Sequence, residues 1–489
     1  MEDSVLSTDR WLIFLTFFLS LLLFTGIGAL ASRQRKTTTH DYLLAGRAVP
    51  PWLVALSAVA TMSSGFMFIG QIGLTYRVGL ASMWWLIGWA IGDLIAWLFL
   101  YRRLRQASEE HGQISPLALL GQRPPLGRRV LVPLAGALTV FYLAMYAAAQ
   151  LKAGSTALQS MFGMPAYLGA VIGAVIVVIY CYSGGIRASI WTDAAQSLVM
   201  FGSMALLTVV AGSHVGELSA LMTELASIDP ALTNIFPEDP RFGFLIYFMG
   251  MVFGGFGVVG QPHILVRSMA IEDAEQIRKA RIYYFAWLIP FYAMAILVGL
   301  YARVLLPDLM SRSMLTSEQA LPLLSIELLP DVLVGLMLAG LFSATMSTAD
   351  SQIISCTSAV TQDIRPRWSD SYGASKLTTL GVTGVALTIA LSSGAGVFTL
   401  VLDAWAVLSC TLGPLLIVRL FKLPCSQGVG VAMIVVGFVV TNGWVASSYA
   451  GATYVNFPGM AAVFLTYFGL LGLQKLRATR RGPARAEKV

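Results

Sequence analysis

The chain has 489 residues, of which 57% are hydrophobic and only 12% charged, about half of the ~25% charged fraction usual in soluble domains. With a mean hydropathy of +0.74, this argues against a soluble enzyme and for an all-α integral membrane protein with many spans. The net charge of +7 sits in short runs between apolar segments, as topogenic signals do; the expected partner is therefore the lipid bilayer, not nucleic acid.

Taken in chain order, residues 1–10 lack the basic region of a cleaved signal peptide, and 11–32 read as a first span. Further apolar segments of spanning length lie at 52–76, 81–101, 130–151, 163–184, 188–211, 243–266, 282–303, 329–355, 377–395, 397–418, 428–447 and 456–474. About thirteen transmembrane helices result. With the N-terminus outside and the C-terminus inside, 26 of the 32 Lys and Arg residues fall on the inner side, as the positive-inside rule requires. No linker divides the chain, so 1–489 reads as a single polytopic domain. The four cysteines (181, 356, 410 and 425) show no metal or redox spacing.

Two spans are interrupted. The second contains "LSAVATMSSGFMFIG", where small and hydroxylated residues replace leucine. The seventh contains "FMGMVFGGFGVVGQP", with five glycines between Gly250 and Gly260 and then Pro262. Broken backbone at membrane depth is tolerated only against protein or a watery cavity. Interruptions five helices apart fit a transporter built from inverted repeats with its site at the midplane, although either segment alone also fits close packing through small residues.

The ninth span ends in "ATMSTADSQ". On a helix, Ala344, Ser347, Thr348 and Ser351 share one face, with Asp350 on its edge. The hydroxyls either bond back to carbonyls one turn earlier or supply hard oxygen ligands to a cation, with carbonyls around Ala60 to Ser63 completing the set. A carboxylate at a span's centre costs about 2.5–3.5 kcal/mol and is a functional candidate by default. Asp350 and Asp193 are read as handling a cation; Asp403 and Asp93 stand evenly between function and structure.

The stretches "DYLLAGRAVPPWLVALSA" (41–58), "GGIRASIWTD" (184–193), "GQPHILVRSMA" (260–270), "ATMSTADSQIISCTSAVTQDI" (344–364) and "DAWAVLSCTLGP" (403–414) resemble the sodium/solute symporter family. Within it they are most similar to the bacterial sodium/proline symporters. The resemblance implies two inverted five-helix repeats over about 52–418, with the span at 11–32 and those across 428–474 peripheral. It implies a sodium site at Ala60, Ser63, Ala344, Ser347 and Thr348, and a second cation or proton at Asp193, Asp350 and Ser351. The expected substrate cavity involves Ser57, Met62, Ser64, Gly254, Phe256, Val258, Asp403 and Trp405. Gln261, Pro262 and His263 are expected to gate or to end a helix. Met62, Gly254, Val258 and Asp403 depart from the proline-carrier pattern; Asp403 would offer a carboxylate to a substrate amine.

The expected function is therefore secondary transport in the cell (inner) membrane: sodium-coupled uptake of a small organic solute, foremost proline or a related amino acid. The alternatives are a sodium symporter of a carboxylate, osmolyte or sugar acid, or a transporter-like sensor working with a separate kinase. An enzyme is not expected, since the four histidines (40, 111, 214 and 263) lack ligand spacing and no nucleophile–base pair is visible. No obligate protein partner is expected.

Overall fold

The computed structural model describes residues 11–33, 38–121, 127–311 and 314–480. The basic residues Arg10, Arg35, Lys36, Arg123, Arg312, Arg481, Arg485 and Lys488, used above to orient the chain, lie outside them.

Apolar segments with no water to satisfy their backbone can only become helices, and that is what forms. The helices are α1 (Trp11–Ser32), α2 (Pro51–Gly65), α3 (Ile72–Val78), α4 (Met83–Phe99), α5 (Gly127–Phe162), α6 (Ala166–Val215), α7 (Gly243–Phe256), α8 (Pro262–Ala270), α9 (Ile277–Leu305), α10 (Asp331–Ser358), α11 (Tyr372–Ser392), α12 (Val397–Leu420), α13 (Gln427–Val445) and α14 (Asn456–Arg480). Further short helices (Thr39–Leu44, Tyr101–Glu110, Leu218–Ile228 and Ala320–Leu328) and 3₁₀ turns lie in the connections. By length and composition, eleven helices among the described residues can cross a membrane. The stretch Pro51–Glu110 counts as one of these but holds two of the thirteen expected spans, and the segment at 163–184 forms the first half of the bent helix α6. The bend is at Gly185, where φ is +58° and a Cβ would lie 2.4 Å from the Tyr42 carbonyl, so only glycine fits.

Helix α10 is the hub. From Val334 nearly every residue is buried, because α6, α5, α1 and α2 pack around it. Burial on every side leaves α10 no solvent-facing stripe, and its polar residues from Ser343 to Ser358 are buried along with the apolar ones. α11 and α13, on the periphery, leave large apolar side chains such as Leu377, Val385 and Val439 exposed.

The interrupted spans are broken where the sequence indicates. Near the end of α2 the chain kinks at Ser64 (φ 49°, ψ 177°), and a wide π-type turn, Phe66–Gln71, then leads to α3. Between α7 and α8 it passes through a 3₁₀ turn, Gly257–Gly260, and the extended Gln261. The segment before α2 is stapled to the end of α8: Val49 N–H donates to Ala270 O at 3.2 Å, and Glu272 N–H to Val49 O at 3.0 Å. That bridge is the sole β pairing among the described residues.

Candidate functional site: an oxygen cluster, a buried ion network and an aromatic cavity

At each break, carbonyls and amides lose helical partners, and an unpaired buried polar group costs about 1–3 kcal/mol. Side chains from neighbouring helices supply the missing partners. Gln150 on α5 accepts from Gly65 N–H at 2.8 Å. Gly65 leaves no room for a Cβ, which would lie 2.7 Å from Thr345 Cγ2. At the second break, Trp405 Nε1 donates to Gly254 O at 2.8 Å, and Ser409 Oγ to Gly257 O at 2.9 Å. Gln261 Nε2 donates to Trp405 O at 3.0 Å, so α12 holds the whole turn.

Helix α10 passes the first break with its hydroxyl face turned toward it. Ser347 Oγ lies 3.3 Å from Ala60 O and 3.2 Å from Ala344 O. Thr348 Oγ1 lies 3.0 Å from Thr61 O and 3.0 Å from Ala344 O. Each hydroxyl is thus shared between its own helix and the broken one, so back-bonding and reach toward Ala60 coexist. The Ser63 carbonyl turns into the break and accepts from Phe66 N–H, while Ser63 Oγ is buried with no protein partner. The donor set is hard and neutral: hydroxyls and carbonyls, the chemistry an alkali cation takes.

One turn further along α10 lies a buried ion network. Asp193 on α6 accepts from Ser57 Oγ at 2.6 Å and pairs with Arg267 on α8, whose Nη2 is 3.1 Å from Asp193 Oδ2. Arg267 Nε donates to Ser57 Oγ at 3.0 Å, and its remaining nitrogens reach Ser351 Oγ and the His263 carbonyl. Asp350 Oδ1 takes hydrogen bonds from Ser189 at 3.2 Å and Ser351 at 3.0 Å. Asp193, Asp350 and Arg267 are all at most 1% exposed. Two carboxylates face one guanidinium, which leaves one negative charge uncompensated when both are ionised. Arg267 is the residue that sequence reasoning missed: it was counted among the inner topogenic charges. The available signal was its place at i+4 from His263 in α8, on the face that turns inward.

Between the breaks lies a cavity walled mainly by Met62, Phe66, Trp85, Trp89, Tyr146, Tyr292 and Trp405, with Gln71 among its few polar groups. Of the expected cavity residues, Met62 and Trp405 line it. Ser57 instead belongs to the ion network, because its side of α2 faces α6 and α8. Ser64 forms the kink. Gly254 sits behind Trp89, 2.8 Å from its ring by the position of a Cβ. Val258 is fully buried and Phe256 half-buried beside the second break. Asp403, two residues before Trp405 and so on the opposite side of α12, lies in a separate, wider pocket with Tyr247, Phe398 and Trp444. Pro262 opens α8, and His263 is buried with its ring edge-on to Tyr146 at 5.7 Å. Phe66 and Phe398 stack at 5.4 Å and separate the two pockets.

A family model described as the sodium:solute symporter family matches residues 42–437. The chain belongs to that family. Similar relatives include the high-affinity proline transporter PutP of Bacillus subtilis, 29% identical over 443 residues (89% of this chain, 93% of the relative). The osmoregulated proline transporter OpuE of Bacillus subtilis is 28% identical, covering 91% of this chain and 90% of its own. The sodium/proline symporter of Staphylococcus aureus is 28% identical, covering 89% and 86%. Among solved structures, a substrate-bound, outward-open Na⁺-coupled sialic acid symporter superposes with a TM-score of 0.76 at 20% identity, over 93% of this chain and 96% of that one. A nucleobase-cation-symport-1 family transporter, Mhp1, superposes at 0.53 and 16% identity. The symporter family thus accounts for the broken helices and the polar hub, and makes this chain a sodium-coupled solute transporter in a membrane, not an enzyme.

Proposed function

We propose that this symporter takes up proline, or a closely related amino acid, across the inner cell membrane, driven by sodium. The observation that carries the reading is the convergence of Ala60 O, Ala344 O and the Ser347 and Thr348 hydroxyls where α10 meets the first break. A sodium ion held there, with Ser63 close by, ties α2 to α10. Its contribution to the cycle is its differential affinity for the state in which those two helices are close. Asp193, Asp350 and Ser351 form the place for a second cation or proton, since the network has one negative charge to spare.

Proline is favoured by what the relatives are named for and by the cavity's character. Aromatic faces suit a compact ring, and Trp89, Trp405 and Tyr146 can meet a secondary ammonium by cation–π attraction of about 0.5–2 kcal/mol. Asp403, in the adjoining pocket, would meet the amine on its way to the cavity. The N-terminus lies outside and the C-terminus inside on the charge count, and the repeats span about 52–418 within one domain. No obligate protein partner is part of this reading.

The test is uptake of labelled L-proline by proteoliposomes of the purified protein, with and without an inward sodium gradient. Uptake that needs the gradient supports the proposal. No uptake by folded protein discards proline; sodium-dependent uptake of a carboxylate or osmolyte instead would assign the cavity to that solute.

A further inference from the structure

The ion network uses Asp193 and Asp350, and the proposed amine contact uses Asp403, which leaves Asp93 of the four candidate carboxylates. Asp93 stands near the middle of α4 and is 0% exposed, with neither carboxylate oxygen hydrogen-bonded. None of the ion pairs among the described residues includes it. Its surroundings are nevertheless polar in a directed way. One turn along, the Trp97 indole N–H is also buried and unpaired, as is the Tyr101 hydroxyl another turn on. Trp97 packs on Tyr101 at 4.7 Å and on Tyr284 at 5.0 Å. The Tyr284 hydroxyl approaches Asp93 without the alignment of a full hydrogen bond. Tyr292, two turns from Tyr284 on α9, faces Asp93 on one side and lines the central cavity on the other.

An ionised carboxylate with no cation and no donor aligned on it is among the costliest groups a protein can bury. α7 carries one titratable group, Tyr247, which lies by Trp85 in the pocket of Asp403; beside Asp93 it is the α7 backbone that packs, against Gly92, where a Cβ would be 1.9 Å from Val252 O. The charge has to be met from outside the cluster, and the ring around it consists of O–H and N–H donors. Tyrosine hydroxyls serve a carboxyl in either form: their oxygens can accept its proton when it is protonated, and their O–H groups, with the indole N–H, can turn onto it when it is not. We propose that Asp93, with Trp97, Tyr101, Tyr284 and Tyr292 around it, is a proton-binding site that exchanges with the central cavity past Tyr292 and is linked to transport. A proton moves from cavity water to a carboxylate oxygen and back; no other bond changes.

Infrared difference spectra of the protein in liposomes, stepped from mildly acidic to mildly alkaline pH, test the site without any substrate. A protonated-carboxyl C=O band is expected that is lost in Asp93→Asn, shifted in Tyr284→Phe and kept in Asp350→Asn. A wild-type band that persists unchanged in Asp93→Asn, or no band at all, overturns the proposal. Should Asp93→Asn fail to fold, an unshifted band in Tyr284→Phe has the same force. The link to transport rests on the proposed sodium-driven L-proline uptake. There, a pH profile that is sloped in wild type and flat in Asp93→Asn is expected, and identical profiles refute the link. If wild type takes up no proline, that substrate reading fails, while the band still decides the site.

Discussion

Replacing Arg267 by methionine removes the single cation of the buried network and keeps much of its length and apolar stem. In wild type the guanidinium is fully buried, 3.1 Å from Asp193 Oδ2, and also holds Ser57 and Ser351. Removing one partner of a buried pair strands the other, at about 3–5 kcal/mol; here Asp350, bonded to Ser189 and Ser351 of the network, adds a like charge. Arg267→Met is therefore expected to lose about 3–5 kcal/mol, measured by reversible unfolding in mixed micelles titrated with SDS. Asp193→Asn in the same chain removes the stranded charge, so the double variant should be more stable than the sum of single losses predicts, with a coupling of about 2–3 kcal/mol. Sodium should also stabilise Arg267→Met more than wild type, because a bound ion supplies the missing charge in proportion to its occupancy of the folded state. A loss below about 1 kcal/mol, the level of an exposed pair, with no coupling to Asp193, would refute the network as drawn.

Thr348→Val keeps the shape of the side chain but deletes the hydroxyl lying 3.0 Å from both Thr61 O and Ala344 O. Hydrogen-bond-type contacts to a charge are worth about 1.5–3 kcal/mol, so the sodium concentration for half-maximal uptake should rise roughly 10- to 100-fold; an unchanged value would remove Thr348 from the sodium site. Trp405→Phe leaves Gly254 O without its donor, a cost of about 1–3 kcal/mol. It is expected to raise the substrate KM while leaving the sodium dependence of a substrate-free stability assay unaltered. Gly92→Ala would drive a Cβ to 1.9 Å from Val252 O and 2.3 Å from Phe256 N, both backbone atoms; since backbone cannot step aside as a side chain can, little monodisperse protein should elute on size exclusion.

The amino-acid sequence by itself determined that this chain is helical and membrane-embedded, and located both breaks. Those conclusions depend on properties local in the chain: the length of apolar runs, the clustering of Gly250 to Gly260 ahead of Pro262, and hydroxyls spaced three and four apart from Ala344 to Ser351. It also fixed which face of α10 carries the oxygens, because helical periodicity is local too. What the hydroxyls meet was decided elsewhere. Ser347 touches Ala60 across 287 positions of sequence, and Asp193 meets Arg267 across 74, and no spacing rule reaches that far. Arg267 shows why: in the sequence it is an inner-side charge like its neighbours at 278–281, and only the docking of α8 against α2, α6 and α10 makes it the counter-ion of a buried acid pair. Packing likewise sent Ser57 into that network, put Gly254 behind Trp89, and set Asp403 in the adjoining pocket rather than beside Met62. Composition and periodicity say that a polar group in a span must have a partner; tertiary packing alone says which one, since partners in a bundle are chosen by which helix faces are left to meet.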